Sequence, residues 1–351
     1  MSETYKNLIR RATYNSNAAI QELQSRQTQY INTSLRGIFN EFILFRYSDE
    51  ILEYETYINQ NINRKMKNST VATVLLDSFA SATIEGARTT VESIQNSIKH
   101  PITKDDKMVV NTLKAQQIAY ETGITAENIR PLWEILVKDV CENTHADGPK
   151  YRSGQVYIGS TTQIVHTPER PENIEIRMQD LFNLTYKFND KLVLACIVHF
   201  YFVYIHPFCD GNGRFARLWQ NVILSGYNTN FRGLVISNEI NKSLSEYYKV
   251  IQDAEFTYNN MIDITPFIEY MLKCICSALD YMTIRRYVKL GPTESQVLLR
   301  MQKSQAGLTV KKVMELQGLA EGTAYNLLNR LVSKGYAVVD KTHRPYRYYA
   351  K

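Results

Sequence analysis

Turn-forming residues are scarce in this chain. It holds fifteen glycines and nine prolines among 351 residues, below the roughly 12% the two contribute to average proteins. Many short strands joined by tight turns are therefore not expected, and a mostly helical fold is. Cysteine is scarce too. Cys141, Cys196, Cys209, Cys274 and Cys276 are odd in number and lack paired metal-ligand spacing, which excludes a disulfide scaffold and a structural zinc site. The longest apolar run, Leu192 to Ile205 with His199 in its middle, is shorter than the ~20 residues that cross a bilayer. It reads as a buried core helix, and no membrane partner is expected. Met1 to Arg11 is polar, without an apolar block or small-residue cleavage site, so the expected compartment is the cytoplasm. Internal repeats are missing as well.

Excess charge of one sign is missing from most of the molecule. The net charge is +6, yet residues 291–351 alone carry ten basic against four acidic side chains, and residues 1–290 carry 31 of each. The basic character belongs to one terminal module.

What is present is ordinary globular material, 44% apolar and 22% charged, long enough for two or three domains. Residues 1 to about 70 place Ile20, Leu23, Leu35, Ile38, Phe42, Ile51, Tyr54 and Ile58 at helical spacing, which predicts a helical N-terminal region over 1–100. Further helices are predicted over about 70–88, 104–121, 126–144 with Thr125 as cap, 173–188, 190–205, 213–225 and 243–254. A long one opens at Thr265-Pro266. Gly148 to Pro171 differs: turn residues flank the β-prone pieces Gln155-Val156-Tyr157-Ile158 and Gln163-Ile164-Val165-His166, predicting a β-hairpin between helices. Gly291-Pro292 marks a boundary between a core of 101–288 and a terminal domain of 291–351.

The chemistry concentrates between two helices, in His206-Pro207-Phe208-Cys209-Asp210-Gly211-Asn212-Gly213-Arg214-Phe215-Ala216-Arg217. Gly211, Asn212 and Gly213 can turn successive N–H groups inward, forming an anion nest at the start of the following helix. Arg214 and Arg217 share one face of that helix and suit two further phosphoryl groups, hence a triphosphate. Asp210 offers a hard oxygen for Mg²⁺. His206, at the other lip, is placed to take a proton from an attacking hydroxyl at neutral pH.

This run resembles the Fic family motif His-Pro-Phe-x-Asp/Glu-Gly-Asn-Gly-Arg-x-x-Arg at every defined position. The resemblance implies a Fic-type helical core that transfers AMP from ATP to a protein hydroxyl and releases pyrophosphate. It makes His206 the base, Asp210 the Mg²⁺ ligand, Asn212 and the nest the α-phosphate site, and Arg214 and Arg217 the β- and γ-phosphate ligands. Ser81-Ala82-Thr83-Ile84-Glu85-Gly86 fits the family's inhibitory signature, Ser/Thr-x-x-x-Glu-Gly/Asn. Ser81 and Glu85 share a helix face, and Glu85 is expected to take Arg217 away from the γ-phosphate. By the same resemblance, the hairpin at 148–171 is the flap that receives the target segment, with Val165 and His166 near the target. Tyr248 lies near the adenine, and Glu255 stands where some relatives carry an amide. The implied partner is a protein with a Ser, Thr or Tyr hydroxyl, this chain itself included. Family members often form dimers, which makes a homodimer one expectation. Two alternatives stay open: removal of AMP by the same site, and a DNA-binding regulator whose core senses nucleotide.

In the basic tail, Thr293–Met301, Thr309–Leu316 and 322–334 read as helices, and 336–339 and Tyr346–Tyr349 as strands. This resembles a winged helix-turn-helix, so the expected fold class is mainly α, a Fic-type core with a small β-hairpin flap, plus an α+β terminal domain. Thr323, Tyr325 and Asn326 would open the recognition helix, and Lys341, Arg344 and Arg347 would lie in the wing near DNA phosphates.

Overall fold

The computed structural model describes every residue except 1–3, 14–16, 64–70, 98–99, 102, 142–147, 160–163, 289–291, 303, 305, 334–336, 343 and 351. The chain forms two compact units, Met1–Leu279 and Asp280–Lys351, and the boundary expected at Gly291 lies outside the described residues. In order, the elements begin α1 (Tyr5–Thr13), α2 (Asn17–Gln27), β1 (Ile31–Arg36), β2 (Phe42–Phe45), α3 (Asp49–Asn61), α4 (Val71–Ile84), α5 (Val91–Ser97), α6 (Lys104–Thr122) and α7 (Ile129–Val137). They continue β3 (Ile158–Gly159), β4 (Ile164–His166), α8 (Pro171–Lys187), α9 (Lys191–Ile205), α10 (Asn212–Tyr227), α11 (Ile236–Lys242), α12 (Leu244–Ala254), β5 (Thr257–Tyr258), β6 (Met261–Asp263) and α13 (Thr265–Val288). The second unit holds α14 (Pro292–Gln302), α15 (Val310–Gln317), α16 (Glu321–Ser333), β7 (Ala337–Asp340) and β8 (Arg347–Ala350). Among the described residues no helix is long and apolar enough to cross a membrane.

Helix α9 runs through the middle of the first unit. Asp190 caps it, its Oδ1 accepting from the amides of Leu192 (3.1 Å) and Val193 (3.2 Å), and almost every residue after that cap is buried. Helix α10 packs along α9, with α6 and α4 against α10 in turn. Phe202, Phe208, Phe215 and Trp219 fill the α9–α10 junction, Phe202 stacked on Phe215 at 5.1 Å. Burying such side chains contributes about 1.5–3 kcal/mol each, which holds the two helices together.

The helical expectation for the N-terminal region fails over 31–45, which forms strands. β1 and β2 pair antiparallel, and β2 then pairs parallel with β6, placing Phe42 opposite Met261, in a sheet of order β1-β2-β6-β5. Thr33 and Leu35 point inward while Asn32 and Ser34 stay exposed, a period of two. Leu35, Ile38 and Phe42 are spaced as on a helix and Phe42 to Phe45 is a continuous apolar run that period alone does not assign, and the partner that decides, β6, lies far along the chain. Of the expected inward positions, Ile20 is exposed, whereas Leu35, Ile51 and Ile58 are fully buried.

Two other spans are shorter than expected. Helix α7 starts at Ile129 and stops at Val137 because Asn111 Nδ2 draws the Lys138 carbonyl out at 2.7 Å and Asp139 takes φ 56°. The hairpin pairs only Ile158 with His166 and Gly159 with Ile164; Gln155 to Tyr157 are unpaired, and Gln163 lies outside the described residues.

The second unit is three helices followed by an antiparallel hairpin with Ala337 opposite Ala350. Thr309 caps α15 through the Lys312 amide (3.2 Å), and Leu308 exchanges both backbone hydrogen bonds with Tyr348 at 2.8 Å. Val297, Leu298, Val313, Leu328 and Tyr348 form its core.

Candidate active site

The loop from α9 to α10 is built around two residues with positive φ. His206 ends α9 in the left-handed region (φ 55°, ψ 64°), its amide bonded to the Phe202 carbonyl at 3.0 Å, a conformation that costs a non-glycine residue about 1–2 kcal/mol. Its Nδ1 lies 3.1 Å from the Val203 carbonyl. A carbonyl only accepts, so Nδ1 carries the proton and Nε2 keeps its lone pair. Burial pulls the ring from its ordinary value down to about 4, so it is neutral at pH 7. His206 thus presents an unprotonated nitrogen, as a general base must.

Gly211 opens α10 with φ 77°; a Cβ there would lie 2.8 Å from Leu136 Cδ2 and 2.9 Å from Val137 Cγ1. Trp133 Nε1 donates to the Asp210 carbonyl at 2.8 Å and its ring stacks on Phe208 at 4.7 Å, fixing the loop from outside. The Asp210 carboxylate is about half exposed and its Oδ1 accepts from the Gly211 amide. Asn212 differs from expectation: it is buried, its Nδ2 donating to the Phe208 carbonyl (2.7 Å) and its Oδ1 accepting from the Phe208 amide (3.0 Å). Through these two bonds its side chain braces the loop.

Both arginines are buried. Arg214 Nη1 donates to the Leu136 carbonyl at 3.3 Å, Arg214 Nη2 lies 3.8 Å from Asp210 Oδ2, and Arg214 Nε has no partner; burial pulls this guanidinium below its ordinary value. Arg217 is met by α4. Its Nε donates to Ser81 Oγ at 2.8 Å, and its Nη2 donates to the Ser81 carbonyl at 3.0 Å and to Glu85 Oε1 at 2.7 Å. Burial opposes its charge, but the Glu85 carboxylate outweighs that and holds Arg217 above its ordinary value. Arg217 Nη1 has no partner. A Cβ on Gly213 would run into the Glu85 carboxylate, so Glu85 lies directly on the nest.

On the other side stands the flap. Val165 and Ile164 are exposed on β4, but His166 is not free at the edge. Its Nε2 lies 2.8 Å from the Tyr204 carbonyl and its Nδ1 3.0 Å from Glu255 Oε2. The structure makes His166 an anchor for the flap and gives Glu255 a flap contact. Tyr248 is half exposed, whereas its neighbour Tyr247 is buried with its hydroxyl 2.9 Å from His199 Nε2.

With this geometry in hand, the chain can be compared with known proteins. Residues 123–224 match the Fic/DOC family. The chain is 29% identical over 216 residues to a protein adenylyltransferase Fic of Drosophila willistoni, covering 58% of this chain and 40% of that one. It is 33% identical over 155 residues to a protein of the same name from Nematostella vectensis, covering 42% and 33%. The chain thus spans well under half the length of these curated relatives. In fold it is similar to a Fic family protein from Desulfovibrio desulfuricans G20, with a TM-score of 0.60 and 24% identity over 87% of this chain and 96% of that one. It is also similar to Fic-1 of C. elegans, with a TM-score of 0.53 and 18% identity over 68% and 72%.

Three residues that support the Fic loop carry no motif. Trp133 is one of two tryptophans in the chain, and that rarity is the only signal it offers. Asp77 precedes Ser81 and Glu85 by one and two helical turns. Its Oδ2 accepts from Asn221 Nδ2 and its Oδ1 from the Ser237 amide, each at 2.8 Å, so helical periodicity read backward from Ser81 would have found it. Arg152 has no such signal: its side chain donates to the backbone carbonyls of His206, Gly154 and Glu169, which carry no mark in the sequence.

In the second unit Thr323, Tyr325 and Asn326 are exposed on the first turns of α16, and Lys341 and Arg344 are exposed around the hairpin turn. Arg347 is partly committed, its Nη1 donating to the Ala306 carbonyl at 2.6 Å.

Proposed function

We propose that the Fic domain transfers AMP from ATP to a Ser, Thr or Tyr hydroxyl of a protein, and that Glu85 restrains it. The observation that carries this reading is the pair of buried arginine nitrogens on α10 with no hydrogen-bond partner among the described residues, Arg214 Nε and Arg217 Nη1, the second beside Gly213 of the nest. A buried cationic donor without an acceptor is costly, and an anion of two or more phosphates supplies acceptors for both. The name shared by the curated relatives, protein adenylyltransferase, agrees with this assignment.

In the reaction, His206 Nε2 takes the proton of the hydroxyl as its oxygen attacks the α-phosphorus. The bond from that phosphorus to the oxygen bridging the β-phosphate breaks, and pyrophosphate leaves while Arg214 and the nest amides hold its negative charge. Asp210 fits a Mg²⁺ that arrives with the nucleotide: its carboxylate is accessible, no cluster of three metal-ligating side chains occurs among the described residues, and Mg²⁺ commonly takes one or two carboxylates plus phosphates and water. Bound there, the ion would neutralise charge on the leaving pyrophosphate. Glu85 keeps Arg217 from the γ-phosphate, so ATP is held with its α-phosphate out of line with the hydroxyl. Tyr248 flanks the adenine, and the exposed edge at Val165 receives the target backbone as an added strand.

The test compares wild type, Glu85→Gly and Glu85→Gly/His206→Ala with Mg²⁺ and α-phosphate-labelled ATP on the protein itself and on a cell lysate. Strong labelling by Glu85→Gly alone is expected. Equal labelling by the double variant would remove His206 as the base.

For the second unit we propose a winged helix-turn-helix that contacts duplex DNA through α16 and the β7–β8 turn. The exposed Thr323, Tyr325 and Asn326 beside exposed Lys341 and Arg344 favour this reading.

A further inference from the structure

Three consecutive carbonyls at the end of α9 turn toward one buried residue. Arg152 Nε donates to the His206 carbonyl at 2.7 Å, its Nη2 reaches the Ile205 carbonyl at 3.5 Å, and its own backbone amide donates to the Pro207 carbonyl at 2.9 Å. The same guanidinium donates through Nη1 to the Gly154 carbonyl at 2.8 Å and through Nη2 to the Glu169 carbonyl. Gly154 precedes the first flap strand and Glu169 follows the second. One planar group therefore ties both roots of the flap to the peptide of the base.

Each part has a physical reason. The last carbonyls of a helix lack intrahelical partners and form its negative pole. The left-handed turn at His206 fixes where its carbonyl points, and a fork of five donors in one plane can meet several such oxygens at once. Arg152 is 2% exposed, so the oxygens have no water to turn to. The returning root is locked separately: Glu169 Oε2 accepts from Arg177 Nε at 2.8 Å and Glu169 Oε1 from the Arg170 amide at 2.9 Å.

We infer that Arg152 is a positioning residue for AMP transfer, holding flap and base in one frame so that a hydroxyl seated on the flap meets His206 Nε2. This rests on the transfer reading above. Arg152 bonds the peptides of the flap roots and of the base, whereas the arginines proposed to hold the nucleotide stand on α10, so its loss should act on the turnover step and leave ATP affinity in place.

The experiment places Arg152→Lys and Arg152→Ala in the Glu85→Gly background, with the lysate protein that Glu85→Gly labels, once purified, as acceptor. Lysine keeps the charge and loses the fork. Arg152→Lys should transfer AMP about 100-fold more slowly, the scale of a 1 Å misplacement, with its KM for ATP unchanged, and guanidinium ion should restore part of the rate to Arg152→Ala while ammonium does not. Should Arg152→Ala not fold, Arg152→Lys decides. Hydrogen exchange gives a readout independent of activity: in Arg152→Lys the flap roots and the segment around His206 should exchange faster together, with α4 and α10 unchanged. A parental rate in folded Arg152→Lys, or exchange that rises at the flap alone, overturns the inference. Absence of transfer in the Glu85→Gly parent would instead count against the transfer reading, and exchange would still decide whether the frame exists.

Discussion

At the scale of single residues, two histidines of the α9 region, the buried His199 and the half-buried His206, determine how the protein responds to acid. Burial lowers His206 to about 4 and His199 to about 3, against roughly 6.5 in an unfolded chain. His199 donates from Nδ1 to Gln220 Oε1 and accepts at Nε2 from the Tyr247 hydroxyl, an arrangement complete only when the ring is neutral. Between pH 6.5 and 4 the unfolded state takes up protons that the folded state refuses, so stability falls as pH falls through that window. We expect Tm to drop by several degrees from pH 7 to pH 4.5, corresponding to a few kcal/mol. A Tm constant over that range would mean that neither ring is held neutral. That His206, Asp210, Gly211, Arg214 and Arg217 lie together was legible from spacing because they occupy one turn and the start of one helix. That the Asn212 amide also braces its own loop was not legible, because a bracing amide and a phosphate-binding amide have the same sequence.

At the scale of elements, α4 and α10 meet along a ladder. Asp77 bonds Asn221, while Ser81 and Glu85 both bond Arg217, with the α4 residues one turn apart and the α10 residues one turn apart. Asp77 also accepts from the Ser237 amide at the start of α11, so it fixes how deep α4 sits and thereby where Glu85 reaches. Burial pushes the Asp77 carboxyl up, and its two donors would be stranded by truncation. Asp77→Ala should lower stability by about 1–3 kcal/mol and raise basal AMP transfer severalfold, measured by denaturation and by labelling. The same change in a Glu85→Gly background should add no further activity; an additive gain would mean that Asp77 does not work through Glu85. The i, i+4 pairing of Ser81 and Glu85 was readable from periodicity alone. The strands at 31–45 were not, since their apolar positions fit a helix equally well and the deciding partner, β6, is remote in sequence.

At the scale of the whole molecule, charge divides as the chain does. The second unit carries the positive excess, and on α16 and the hairpin turn it shows polar and basic side chains to solvent. Duplex DNA binding by the full-length protein should weaken steeply with salt, roughly one power of salt concentration per phosphate contact, and Lys341→Ala/Arg344→Ala should flatten that slope by about two. A mobility shift or anisotropy titration measures this, and no binding at low salt would leave the unit a protein-docking module. The sequence by itself determined the helical character, the cluster of polar residues from His206 to Arg217 and the shared helix face of Ser81 and Glu85, because each depends on residues within a few turns of one another. Only the tertiary structure decided the parallel pairing of β2 with β6, the bracing of the loop by Trp133, the anchoring of His166 by Glu255, and the joining of the flap to the His206 peptide through Arg152. Those contacts bring together residues distant in sequence, and backbone carbonyls, which every residue carries, leave no mark in a sequence to show which of them an arginine will find.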